Sequence, residues 1–163
     1  MPFYRFQIES PLTTDTILVR IRALVRESPG FWQSVRESFG RRSASSPPFI
    51  GRVEGTHFRI RRDISYRNSF LPQVHGSVVP NPVGANVKVT MYLHPFVAAF
   101  MLLWLGTVGV GAFVVITNQR ESTVPALVLT AMFLFGVALV VGCFYPEAYK
   151  ARRLLDQGIR DGV

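Results

Sequence analysis

"FVAAFMLLWLGTVGVGAFVVI", residues 96–116, runs for 21 positions without a charged side chain. At about 1.5 Å of rise per residue, a helix of that length spans roughly 31 Å, the thickness of a bilayer's hydrocarbon layer. A second stretch, "VPALVLTAMFLFGVALVVGCF" (124–144), matches it in length and in lack of charge. A soluble helix this long would show a polar stripe, and neither segment has one. Both therefore read as transmembrane helices. The polar connector "TNQREST" (117–123) is only seven residues long, which implies an antiparallel hairpin with both termini on one side.

Charge orients the hairpin. Residues 1–92 hold 13 Lys and Arg against 6 Asp and Glu, residues 145–163 hold 4 against 3, and the connector has only Arg120 and Glu121. The basic excess flanks the two outer ends of the hairpin, which predicts cytoplasmic N- and C-termini in a bacterial inner membrane. Tyr92, Tyr145 and Tyr149 fall at the inner interface level on this reading. The start, "MPFYRFQIESPL", has neither an apolar run nor a small-residue cleavage pattern, so no signal peptide is expected. Three regions follow: a cytoplasmic α+β domain (1–94), the two-helix hairpin (95–145) and a C-terminal cytoplasmic helix or tail (146–163).

Before the membrane, "FYRFQIE" (3–9) alternates as a short strand, with Tyr4, Phe6 and Ile8 on one face. "SPLTTDTILVRIRALVRESPG" (10–30) reads as a helix capped by Ser10, Thr13 or Thr14 and stopped at Pro29-Gly30; Ile17, Leu18, Ile21, Leu24 and Val25 share its apolar side. "FWQSVRESF" (31–39) spaces its apolar residues for a further short helix, and "GRRSASSPP" (40–48) reads as a flexible loop. From Phe49 the period becomes two. Strands are predicted at 49–55, 57–67, 73–79 and 87–94, with a turn at Gly55-Thr56 and a loop at "PNPVGAN" (80–86). Short connections favour an antiparallel meander of four or five strands. After the hairpin, "PEAYKARRLLDQGIRD" (146–161) reads as a separate helix opened by Pro146 and Glu147, with Ala148, Leu154, Leu155 and Ile159 on a partial apolar face.

"FRIRRDISYRNSF" (58–70) holds four arginines and one aspartate. Alternation puts Phe58, Ile60, Ile64 and Tyr66 on one face and Arg59, Arg61, Asp63, Ser65 and Arg67 on the other. Arg62 breaks the apolar face, so it sits at a bulge or meets a buried partner. Strand pairing of the right register gathers Arg52, Arg59, Arg61, Arg67, His75 and Lys88 on one surface, relieved by Glu54 and Asp63. An exposed strand face must be polar in any case. Beside a membrane such a face also suits anionic headgroups, each basic residue near the surface contributing about 1 kcal/mol, or an acidic protein partner. The net charge of +8 points to nucleic acid in a soluble protein, but here the membrane topology explains the same excess. Stacking aromatics among the outward charges are missing as well, and no nucleic-acid partner is expected.

Catalytic signals are sparse. His57, His75 and His94 lack zinc-site spacing, no nucleophile elbow or phosphate-binding glycine loop occurs, and Gly51, Gly55, Gly76 and Gly84 read as turn and bulge residues. No enzyme activity, metal or cofactor is expected. The single cysteine, Cys143, reads as a small apolar filler. The apolar segments hold small residues one turn apart, Thr107 with Gly111 and Ala138 with Gly142, extended by Gly106, Gly109 and Gly136. Such faces allow close helix packing, on each other or on another membrane protein.

From Phe49 to Leu105 the series "YRNSFLP" (66–72), "LHPF" (93–96) and "WLG" (104–106) resembles a group of uncharacterised bacterial two-helix membrane proteins. The β-rich part also resembles, in architecture, bacterial pleckstrin-homology-like membrane domains, which implies membrane-surface binding without assigning residues. The resulting expectation is a non-enzymatic inner-membrane accessory or assembly subunit of a larger membrane protein complex. The alternative is an anchored β module that binds anionic lipids.

Overall fold

A computed structural model describes residues 2–27, 47–118 and 123–161. Six strands form one mixed sheet: β1 (Phe3–Ser10), β2 (Val25–Glu27), β3 (Phe49–Glu54), β4 (His57–Arg62), β5 (Gln73–Asn81) and β6 (Gly84–Tyr92). Three helices accompany it, α1 (Thr14–Leu24), α2 (Pro95–Thr117) and α3 (Thr123–Asp161). The predicted short helix at 31–39 and most of the predicted loop at 40–48 lie outside the described residues, as do residues 119–122 of the connector.

The strand order is β1-β6-β5-β4-β3-β2. The central four strands are the expected antiparallel meander, but the sheet as a whole is not one. β1 adds antiparallel to β6 at one edge, pairing Phe3 with Tyr92 and Ser10 with Ala85. At the other edge β2 runs parallel to β3, Val25 opposite Phe49. The predicted helix ends at Leu24, so Val25 belongs to a strand and not to the helix's apolar side. Its β-branched side chain suits the extended backbone it adopts. Thr13 is the helix cap, its hydroxyl accepting from the Thr16 amide at 3.4 Å. The long strand expected over 57–67 stops at Arg62, and the "PNPVGAN" loop is a two-residue turn, Asn81 facing Gly84.

Several glycines are required by geometry, Gly51 and Gly84 among them, where a Cβ would run into backbone. Gly55 turns the β3–β4 hairpin at a φ of 56°. Gly76 lies mid-strand, where the ring of Phe58 covers it so closely that a Cβ would enter the ring. That is close approach, not the bulge its spacing suggested; Gly51 is likewise a strand residue.

One face of the sheet is covered by α1 and the last part of α3. Ile17 and Ile21 of α1, Leu155 and Ile159 of α3, and Phe58, Val74, Val87 and Met91 of the sheet are 3 % exposed or less. Each large side chain so buried contributes about 1.5–3 kcal/mol. The helix expected to begin at Pro146 does not begin there. α3 is a single helix of 39 residues, roughly 58 Å long, with Pro146 inside it. Its first part is the second apolar segment and its last part is a wall of the domain core.

α2 and the first part of α3 are both long and apolar enough to cross a membrane, and only 17 % of each apolar window is buried. A core helix would be mostly covered. The two pack on one another: Gly109 meets the Phe133 ring at 3.2 Å, Gly111 meets Leu129 at 3.6 Å, and Gly136 meets Leu105 at 2.9 Å, distances taken from a Cβ built at each glycine. His94 caps α2, its Nδ1 accepting from the Phe96 amide at 3.3 Å, and Pro95 fills the first turn. Ala98, Met101, Val140 and Phe144 belong to the same core cluster as the sheet, so the packing is continuous between the domain and the helix pair.

Candidate functional site

The face of the sheet turned away from α1 and α3 holds the basic residues, and no described helix lies on it. Strand register aligns Arg52 (β3), Arg59 (β4), His75 (β5), Thr90 (β6) and Arg5 (β1) in one row across five strands. The next row is Glu54, His57, Ser77, Lys88 and Gln7. All of these residues except Arg5 and Gln7 line an open trough of about 730 Å³, with Arg52, Arg59, His75 and Lys88 around it and Glu54 as the one carboxylate in its lining. Directly opposed Cβ atoms in an antiparallel pair stand about 5 Å apart, and like charges placed there repel. Arg52 and Arg59 are such a pair, and neither has an ion pair among the described residues. Arg61 shares this face, opposite Ile50, one row outside the trough. Arg67 lies in the connection after β4 and does not line it.

The His75 and Tyr92 rings pack at a tilt, centroids 4.8 Å apart, and their side chains hydrogen-bond, Tyr92 Oη to His75 Nε2 at 2.8 Å. Partial burial, together with the positive charge of Arg59, lowers its pKa from the usual histidine value. The imidazole is therefore neutral near pH 7, and the trough's fixed positive charge comes from Arg52, Arg59 and Lys88.

The covered face contains a second polar cluster. Glu147, one residue after Pro146 on α3, is 4 % exposed. Arg62 from the end of β4 is ion-paired to its Oε2, the Tyr66 hydroxyl donates to its Oε1 at 2.6 Å, and Lys150 donates to Oε1 at 3.2 Å. This is the buried partner that Arg62 required. Burial works against the carboxylate's ionisation, but the bonds from Tyr66 and Lys150 and the charges of Arg62 and Lys150 outweigh it. The Glu147 pKa is held below the usual glutamate value, and the Tyr66 hydroxyl, bonded to that carboxylate, is pushed up.

The "YRNSFLP" segment thus has a structural task. Pro146 has no amide hydrogen, which interrupts the helical bonding of α3 near Gly142. Asn68 Nδ2 donates to the neighbouring Cys143 carbonyl at 3.3 Å, and Asn68 Oδ1 accepts from the Phe70 amide at 2.9 Å. Arg20 of α1 caps the far end of α3, donating to the Ile159 and Arg160 carbonyls at 2.6 and 2.8 Å. Arg152 donates to the Tyr4 hydroxyl of β1 at 2.5 Å. The helix is therefore tied to the domain from Cys143 to its C-terminal end.

Of the helix-packing residues, Gly109, Gly111 and Gly136 serve the α2–α3 contact. Gly106, Thr107, Ala138 and Gly142 are exposed, and a Cβ at Gly106 or Gly142 would meet nothing within 4 Å. Sequence reasoning missed Glu147 by treating it as a helix-opening residue. Its spacing from Ala151, Leu155 and Gly158 (four, eight and eleven positions) marks it as belonging to the buried side. Among the described residues no group of three His, Cys, Asp or Glu is arranged to hold a metal. No protein-family model, curated protein or solved structure matches the chain.

Proposed function

We propose that the protein is a two-pass membrane protein that acts by docking, as an accessory or assembly subunit of a larger membrane complex. In this reading α2 and the first part of α3 form an antiparallel transmembrane hairpin, and the sheet domain stands on the cytoplasmic side of a bacterial inner membrane. The main support is the continuity of α3, which is largely bare apolar surface at one end and domain core at the other. Anchor and domain share one rigid helix, so the uncovered sheet face holds a fixed position relative to the bilayer. That suits a scaffold presenting a surface, and not a domain searching on a flexible tether. A second reading, a module for anionic headgroups at the cytoplasmic surface, is supported by the trough cations Arg52, Arg59 and Lys88, which have no ion pair among the described residues.

The test is native mass and co-purifying proteins after extraction from native membranes in mild detergent. The docking reading expects a defined heavier assembly that is lost on Ala138→Leu with Gly142→Leu, whose positions face outward. Gly109→Leu is the contrasting variant, since it strikes Phe133 and disturbs the helix pair itself. A monomer carrying only lipid defeats the subunit reading. Orientation is read separately: Asn118→Cys in a Cys143→Ser background should react with a membrane-impermeant thiol reagent added from outside, and Lys150→Cys should not.

A further inference from the structure

Arg52 and Arg59 are directly opposed in the β3–β4 register, and Glu54 is the one carboxylate in the lining they share. Opposed like charges disfavour a strand pair, if only modestly where water screens them, and a neutral polar residue would serve a wet surface as well. A bound anion turns the same arrangement into a grip. Arginine's planar fork matches tetrahedral oxyanions in two-point contacts. Lys88 adds a third positive charge from the adjacent row, and the Ser77 and Thr90 hydroxyls lie in the lining beside it. Three fixed cations against Glu54 leave an excess of two positive charges, which balances a dianion better than the single charge of a carboxylate or a phosphodiester. Adjacent strands stand about 4.8 Å apart, so the span from Arg52 to His75 is roughly 10 Å, sized for one such group and its ester substituent.

We propose that the trough is a binding site for a phosphomonoester, gripped between Arg52 and Arg59 with Lys88 as the flanking charge. His75 is positioned by Tyr92 beside the group and offers a ring nitrogen to one of its oxygens. The trough also lies near the membrane end of the sheet. Thr90 is five residues before Pro95, at most about 17 Å of extended chain from the start of α2. A phosphomonoester headgroup and a soluble phosphate ester both have the required chemistry. The lipid source rests on the membrane placement proposed above; the soluble source does not.

Full-length protein in neutral phosphatidylcholine nanodiscs is titrated calorimetrically with inorganic phosphate, glycerol phosphate and short-chain phosphatidic acid. Short-chain phosphatidylglycerol, a phosphodiester, is the counter-probe. Arg59→Gln is expected to weaken phosphomonoester binding about tenfold or more, as loss of charge-assisted hydrogen bonds does. Lys88→Gln should weaken it less, and Arg153→Gln, exposed on α3, should leave it unchanged. Arg59→Gln removes a repulsion, so its melting temperature should hold or rise, which separates lost binding from misfolding. Binding of phosphatidic acid and the soluble esters alike supports the site with either source. Binding of phosphatidic acid alone supports a lipid ligand, and of the soluble esters alone a soluble one. The proposal is overturned by equal affinity for phosphatidylglycerol, by binding that survives Arg52→Gln with Arg59→Gln, or by no phosphomonoester binding at all. The native-mass and thiol-labelling experiments report on the membrane placement whatever the titration gives.

Discussion

Arg62 and Arg59 stand three positions apart on β4 and face opposite sides of the sheet. Arg62 meets a carboxylate, Glu147, that is itself bonded by Tyr66 and Lys150. Arg59 lies opposite Arg52 on one side and His75 on the other, and has no ion pair among the described residues. Arg62 has its charge matched within the chain, whereas Arg52 and Arg59 have no ion pair among the described residues, and on their face Arg26, in the row of Ile50 and Arg61, is paired with Asp63. Burying a charge without a partner costs several kcal/mol, so the covered face is strongly favoured to supply one. The open face is under no such constraint, since water screens the repulsion there. Its unmatched cations are available to something outside the chain, whereas those of the covered face are committed to holding α3.

The largest expected effect follows from breaking the matched side. Glu147→Ala leaves Arg62 facing α3 without its carboxylate. Removing one partner of a buried pair costs about 3–5 kcal/mol, and the lower end applies because the Arg62 side chain keeps 17 % exposure. Thermal unfolding in detergent should show a large drop, and Glu147→Gln, which keeps an acceptor for Tyr66 and Arg62, a smaller one. An unchanged melting temperature in Glu147→Ala would refute the structural role given to the cluster. Gly76→Ala comes next. Its new Cβ must displace the Phe58 ring, an overpacking that costs about 1–3 kcal/mol. It acts from the covered side on the strand that carries His75, so it also shows how far the trough depends on the core beneath it.

How much of this was legible in the sequence varies with the range of the interaction involved. The two apolar segments, the period-two stretch and the alternation of β1 are local patterns, and the structure has α2, the central meander and β1 where those patterns put them. Arg62 announced an unmet need because a charge on an apolar face is a local anomaly; its partner, 85 positions away, was not readable. β2 escaped because three residues at a helix end show no period, and only parallel pairing with β3 makes them a strand. Pro146 misled for a physical reason. Proline normally opens or ends a helix, but here α3 continues through it, with Asn68 bonding to the carbonyl of Cys143 and the flanking turns packed against the domain. The row from Arg52 to Lys88 was set out as one possible register, and the pairing brings four of the six named residues into the trough, with Arg61 one row away and Arg67 outside it.

The smaller effects test the unmatched side. Arg59→Gln should raise the stability of the ligand-free protein by about 0.2–1 kcal/mol, the usual scale of a cross-strand pair. A decrease would mean that Arg59 has a structural partner and that the two faces are not different in kind. Acid should distinguish them too. His75 has its folded-state pKa lowered from 6.5, so between that lowered value and 6.5 the unfolded chain binds more protons. Stability on this account is complete above about pH 6.5 and declines as the pH falls toward the folded value. Glu147, also lowered, contributes stability that is complete above its ordinary value of 4.5 and is lost as the pH falls through the folded one. On acidification the His75 decline should therefore begin at about pH 6.5 and the Glu147 decline at about pH 4.5. Arg59→Gln should shrink the upper one by relieving the charge that depresses His75, and leave the lower one in place. Glu147→Gln should do the reverse. A single decline abolished by either variant would show that the sheet transmits charge between its faces, and the contrast between matched and unmatched arginines would not hold.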